Sequence, residues 1–142
     1  MESSRIVFSI VTLMAAASFA IIFKTPRRYF LHTVALGMLA GVGIHTFPPQ
    51  VHISFSTFAV ALIVGCLSHL LARATNKPAQ AFIIPSVMFL VPGAYLYRGF
   101  AQAMAKDYMP MGESILTAVS ITLAVSFGLL LANWVVPSRK TL

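Results

Sequence analysis

Five apolar runs constrain this chain more than any other feature. They cover residues 6–23, 29–47, 53–72, 79–104 and 114–136, and short charged or proline-bearing segments separate them. A membrane-spanning helix needs roughly 20 apolar residues, and each run is near that length. The weaker alternation of outer-membrane strands is absent from them. The expected fold is therefore all-α, a polytopic membrane helix bundle with five transmembrane helices. At that size residues 1–142 hold one integral-membrane domain with short loops.

Composition matters here for what it excludes. The chain is 58% apolar and 9% charged, with a formal net charge of +7. Soluble domains carry about 25% charged residues, so a water-facing surface of this size would go uncovered. The basic balance invites a nucleic-acid partner, but that needs Lys and Arg clustered on one solvated face. Here they stand singly or in pairs between apolar runs. The single cysteine, Cys66, excludes an intramolecular disulfide and a Cys-rich zinc site, and reads as a small buried packing residue.

The basic residues set an orientation, because cytoplasmic loops carry the excess. Alternate loops hold Lys24, Arg27, Arg28, Arg73, Lys77, Arg139 and Lys140, while the other side holds Arg5 and Lys106. The expected topology puts the N-terminus outside and the C-terminus in the cytoplasm. In the first run, Ala15-Ala16-Ala17-Ser18 resembles a signal-peptide cleavage site. Apolar character continues through Phe23, however, and a basic cluster follows, so the run is read as a retained span.

The fourth run carries the chemical information. Pro85 and Pro92 lie seven residues apart, and Gly93 follows directly. Each proline lacks an amide hydrogen and clashes with the carbonyl four residues back. The helix is expected to break at Pro85 and at Pro92-Gly93, freeing the carbonyls of Ala81 and Met88. In lipid a freed backbone group costs several kcal/mol, so the break must face protein or a wet cavity. Transporters build substrate sites on such broken helices, and the amides opening a new half-helix favour a carboxylate. The competing reading is a plain proline kink. Arg98 follows the break, and a charge inside a span marks a functional site by default. Its guanidinium fits a carboxylate bidentately. Alternatively it snorkels to the outer interface beside Tyr95 and Tyr97.

This stretch resembles the signature of the threonine/serine exporter (ThrE) family. The residues that carry the resemblance are Pro85, Leu90-Val91-Pro92-Gly93 and Tyr97-Arg98. The whole chain looks like that family's C-terminal five-helix half as a separate small subunit. The resemblance implies a bacterial inner-membrane, proton-motive-force-driven exporter of small hydroxy amino acids, or in some split relatives of dicarboxylates such as succinate. It also implies a larger partner subunit like the family's other half. Along the stretch, the candidate substrate-binding residues are Pro85, Ser86, Met88, Pro92, Gly93, Tyr97 and Arg98.

Two histidines, His32 and His69, fall inside runs and are candidate proton relays, with interfacial packing as the plainer role. His45 and His52 flank Pro48-Pro49, and no tight ligand spacing points to a metal. Asp107 and Glu113 read as solvated charges of the fourth loop, Ala105 to Glu113. Trp134 reads as an interfacial anchor, and Asn133 as a helix-to-helix hydrogen bonder. The pairs Gly37/Gly41 and Ala124/Gly128 suit close helix contacts, within this chain or with a homo-oligomeric copy.

The chain lacks GxGxxG, GxxxxGK[ST], HExxH and GxSxG. No cofactor is expected, and an integral-membrane enzyme has no constellation of carboxylates, histidines or nucleophile in the spans to support it. The remaining rival to an exporter subunit is a structural membrane subunit that touches no substrate.

Overall fold

The computed structural model describes residues 2–48 and 50–137, with side chains from residue 6 onward. Among these the chain forms six α-helices and one short 3-10 turn, with no strand. The helices are α1 (Glu2–Ile22), α2 (Phe30–Thr46), α3 (Ile53–Thr75), α4 (Gln80–Val87), α5 (Gly93–Met104) and α6 (Tyr108–Val135), with the 3-10 turn at Met88–Leu90. The side chain of Arg5 and the tail residues Arg139 and Lys140, used above for orientation, lie outside the described residues.

Three helices end on the same backbone device. Lys24, Asn76 and Lys106 each take a positive φ, of 51°, 52° and 60°. The next amide in each case reaches back five residues, Thr25 to Ala20, Lys77 to Ala72 and Asp107 to Gln102. This is the left-handed cap that satisfies the last carbonyls of a helix, built here without glycine.

Small residues set how the helices pair. Gly37 and Gly41 of α2 face Ala16 and Thr12 of α1, and a Cβ on Gly37 would stand 3.0 Å from that of Ala16. Gly65 of α3 faces Ala132 of α6, and Gly128 of α6 faces Ala61 and the Phe58 carbonyl of α3. Gly37, Gly41 and Gly128 thus make close contacts within the chain. The α3–α6 contacts rise together along both helices, from Ser54–Ser120 at 2.8 Å to Arg73, whose Nε donates to the Pro137 carbonyl at 3.2 Å. The two helices therefore run parallel. It follows that α4, the 3-10 turn and α5 together return the chain between them.

That return is built in two pieces. Helix α4 packs on α1, α2 and α3, whereas α5 packs on α6. One apolar cluster joins Leu36, Ala72, Ala79 and Phe82, and a second joins Ala40, Val60, Ala61, Val64 and Leu90. By length and composition α3 and α6 are apolar enough to cross a membrane, and the α4–α5 pair qualifies jointly across a 42° bend. The apolar part of α1 (Ile6–Ile22) and α2 are shorter.

Several expectations need correction. Helix α4 runs through Pro85, which is buried, so Pro85 does not break it. One lost hydrogen bond is tolerated because proline's fixed φ suits a helix and the surrounding packing holds it. The Met88 carbonyl is not orphaned either: the Val91 amide bonds to it at 3.4 Å, closing the 3-10 turn. Helix α3 continues past Ala72 to Thr75. Helix α6 begins at Tyr108, so the fourth loop shrinks to residues 105–107 and Glu113 lies inside a helix. Pro110 falls in the first turn of α6, where no amide is required of it. Asn133 is exposed and bonds to no other helix among the described residues. Cys66 is free and only half-buried.

Candidate functional site

The single break in the return lies at Val91–Pro92. Val91 is extended, and Pro92 takes φ −78° and ψ 45°. The Gly93 amide bonds back to the Val91 carbonyl at 2.8 Å, a three-residue turn around Pro92. Helix α5 then starts without a side-chain cap. Its opening amides point away from any intrahelical acceptor, as at every helix start. A Cβ built on Gly93 would meet nothing within 4 Å, so the turn borders open space.

One side of the break is anchored. Phe89 sits edge-on to Phe19 at 5.5 Å and lies over Gly37 and Gly41. Leu90 is buried in the cluster with Val64. The other side is open, with Met88 and Val91 exposed.

Beyond the break, α5 carries the polar residues. The Arg98 guanidinium lies over the Tyr95 ring, 5.9 Å from its centroid. Arg98 itself is exposed, and Tyr97 is 75% exposed. One turn past Arg98, Gln102 accepts a hydrogen bond from the Ser114 hydroxyl at 2.9 Å. Gln102 and Ser114 escaped the sequence reading. The signal available was the four-residue spacing from Arg98 to Gln102, which puts both on one helix face.

The expected set therefore divides. Pro85 and Ser86 are buried in α4, where the Ser86 hydroxyl donates to the Phe82 carbonyl at 2.8 Å. Met88, Pro92 and Gly93 form the break itself. Tyr97 and Arg98 ride on α5, beyond the break.

The two candidate proton relays also part. His32 is exposed and lines an apolar groove of about 440 Å³ between α2 and α3, beside Leu36, Leu39, Leu67 and Leu70. His69 is 5% exposed, and its Nδ1 has no hydrogen-bond partner. The neighbouring Ser68 is fully buried, and its hydroxyl is unpartnered too. Two adjacent orphaned groups in a core need a physical reason, such as a water or a functional role. Ser68 stands one turn from Ala72, and Ser86 one turn from Phe82. Since Ala72 and Phe82 share a cluster, the two serines occupy the same level of the bundle. This buried polar level was not foreseen; the adjacent Ser68-His69 pair in an apolar run was its only trace.

Of the other histidines, His45 stacks edge-on to Phe8 at 4.2 Å, and His52 is exposed at the start of α3. Among the described residues no three His, Cys, Asp or Glu side chains converge as metal ligands would.

A bundle of long apolar helices whose return segment is broken in mid-course has the build of a membrane protein. A family model described as Threonine/Serine exporter, ThrE, matches residues 8–135. The chain belongs to the threonine/serine exporter family. No solved structure matches it significantly.

Proposed function

We propose that this chain is one subunit of a secondary-active exporter of small amino acids such as threonine and serine, driven by the proton motive force. The family match over residues 8–135 carries the reading. The uncapped, open break at Pro92-Gly93 and the exposed Arg98 on α5 support it, since both suit an anionic substrate group. In this reading the chain is a single domain of five spans in the bacterial inner membrane, with α4 and α5 sharing one span. The N-terminus is outside and the C-terminus cytoplasmic.

The substrate contacts proposed are Met88, Pro92, Gly93, Tyr97 and Arg98, with Pro85 and Ser86 shaping the α4 side. His69 is the proposed proton carrier inside the bundle, with His32 as the second candidate. Five short spans enclose little volume, so the path is shared with a larger subunit resembling the family's other half, or with further copies of this chain.

Export measurements test the reading. Cells expressing the chain alone, the larger subunit alone and both together are loaded with labelled threonine, serine and succinate. The expected result is export only from the pair, reduced by Arg98→Ala. Full export by the larger subunit alone would reduce this chain to a structural role, and succinate as the sole cargo would establish the dicarboxylate alternative. Tags at position 50 and at the C-terminus should report opposite sides of the membrane.

A further inference from the structure

The side of α5 that edges its contact with α6 is made of hydrogen-bond donors. Tyr95, Arg98 and Gln102 follow one another at three- and four-residue steps, which stacks them along one face. Beneath that face α5 sits close on α6, where a Cβ on Gly99 would stand 3.0 Å from Ile115 Cγ1. Tyr95 and Gln102 are half-buried at this contact, and Arg98 is exposed beside it.

Two of these groups have a partner within the chain that leaves their N–H donors unpaired among the described residues. The Tyr95 ring lies under the guanidinium, and no ion pair engages Arg98 among the described residues. The Ser114 hydroxyl occupies Gln102 Oε1 at 2.9 Å. The carboxamide NH2 has no hydrogen-bond partner among the described residues. A guanidinium offers five N–H donors and a carboxamide two, and the Ser114 bond takes up one of the two lone pairs of Gln102 Oε1. The two groups stand one helical turn apart, about 6 Å at Cβ.

We propose that Arg98 and Gln102 form a two-point anion subsite for a small carboxylate that carries a second oxygen. The substrate carboxylate lies on Arg98, and the second oxygen, a hydroxyl or the far carboxylate, accepts from the Gln102 NH2. Ser114 is a positioning residue that holds the Gln102 amide against α6. The inference rests on the exporter reading above and adds what selects the cargo. A carboxylate without the second oxygen fills only half the site.

The test uses the chain co-expressed with its larger subunit in membrane vesicles. Serine is paired with alanine, and succinate with butyrate, each analogue lacking the second oxygen. Gln102→Leu is expected to raise the KM of serine about 3- to 10-fold, the reach of one neutral hydrogen bond, and that of succinate about 10- to 100-fold, the reach of a bond to a charged group. It is expected to leave the inhibition constants of alanine and butyrate unchanged. Ser114→Ala shifts the same selectivity in the same direction by less, with the maximal rate preserved. Arg98→Gln weakens all four ligands, by about 10- to 100-fold. Unchanged serine-to-alanine and succinate-to-butyrate ratios in Gln102→Leu overturn the subsite while leaving the exporter reading intact. Loss of co-purification with the larger subunit in Gln102→Leu or Ser114→Ala also overturns it, because the face would then be a subunit contact. A wild-type pair that moves none of the four overturns the exporter reading itself, and the subsite with it.

Discussion

Gly128 of α6 lies directly against the backbone of Phe58 in α3: a Cβ built there would stand 2.9 Å from the Phe58 carbonyl oxygen. A backbone atom cannot swing aside as a flexible side chain does. Gly128→Ala is therefore expected to separate α3 from α6 and to destabilise the chain by about 1–3 kcal/mol, the usual cost of overpacking. Gly112→Ala on the same helix meets nothing within 4 Å. It should be neutral or stabilising by up to about 1 kcal/mol through helix propensity. Thermal unfolding of the purified variants in detergent distinguishes the two, and equal losses would refute the packing account.

The two prolines of the return make opposite predictions. Pro85 is embedded in α4, so Pro85→Ala restores one helical hydrogen bond and leaves the break in place. Export should remain within about 3-fold of wild type, since one regained hydrogen bond is worth about 1 kcal/mol. Pro92 makes the turn from which α5 starts. Pro92→Ala should cut export by about 10-fold or more with assembly preserved, because α5 and Arg98 are then displaced from the break and a contact to a charged substrate group is worth about that much. Similar export rates for both variants would remove the break from the transport mechanism.

The placement of the histidines predicts a split in kinetics. His69 is buried beside an unpartnered Ser68, while His32 lies on the outside of the bundle. His69→Gln keeps the size and polarity of the side chain but not its titration. It should abolish accumulation driven by a pH gradient and spare substrate exchange at equal pH, whereas His32→Gln should spare both. Gradient-driven uptake measured against exchange in vesicles of the paired subunits gives the answer. Undiminished gradient-driven accumulation in His69→Gln would exclude it as the proton carrier.

How much of this was legible beforehand depends on the residue. Pro48 and Pro78 marked the approaches to α3 and α4, because proline punctuates helices locally. Glu113 misled, because an acidic residue at the edge of an apolar run reads as loop. Glu113 is exposed on α6, so the helix carries its charge without burying it. Pro85 misled for the opposite reason: the chemistry of the broken bond is local, but the packing of α4 on three neighbours, which holds the helix through it, is not. The site divides in the same way. Pro92-Gly93 and Arg98 announce themselves by type, whereas the Gln102–Ser114 bond depends on the α5–α6 contact.

The left-handed helix ends give a stability prediction independent of function. Lys106 closes α5 at φ 60°, a conformation that costs a non-glycine residue about 1 kcal/mol. Lys106→Gly should therefore be tolerated or raise the melting temperature slightly. Lys106→Val, whose branched side chain fits that backbone worse, should lower it. A melting temperature unaffected by valine would mean that the α5–α6 connection has rearranged.

The return segment belongs to two different owners. Its first half is locked among α1, α2 and α3 by Phe82, Phe89 and Leu90, and its second half is attached to α6. Any slide of α6 along α3 therefore drags α5 with it and leaves α4 behind. The whole mismatch falls on the Val91–Pro92 joint. The two halves of the return thus hang from different helices, and the Val91–Pro92 joint is the only stretch that belongs to both supports.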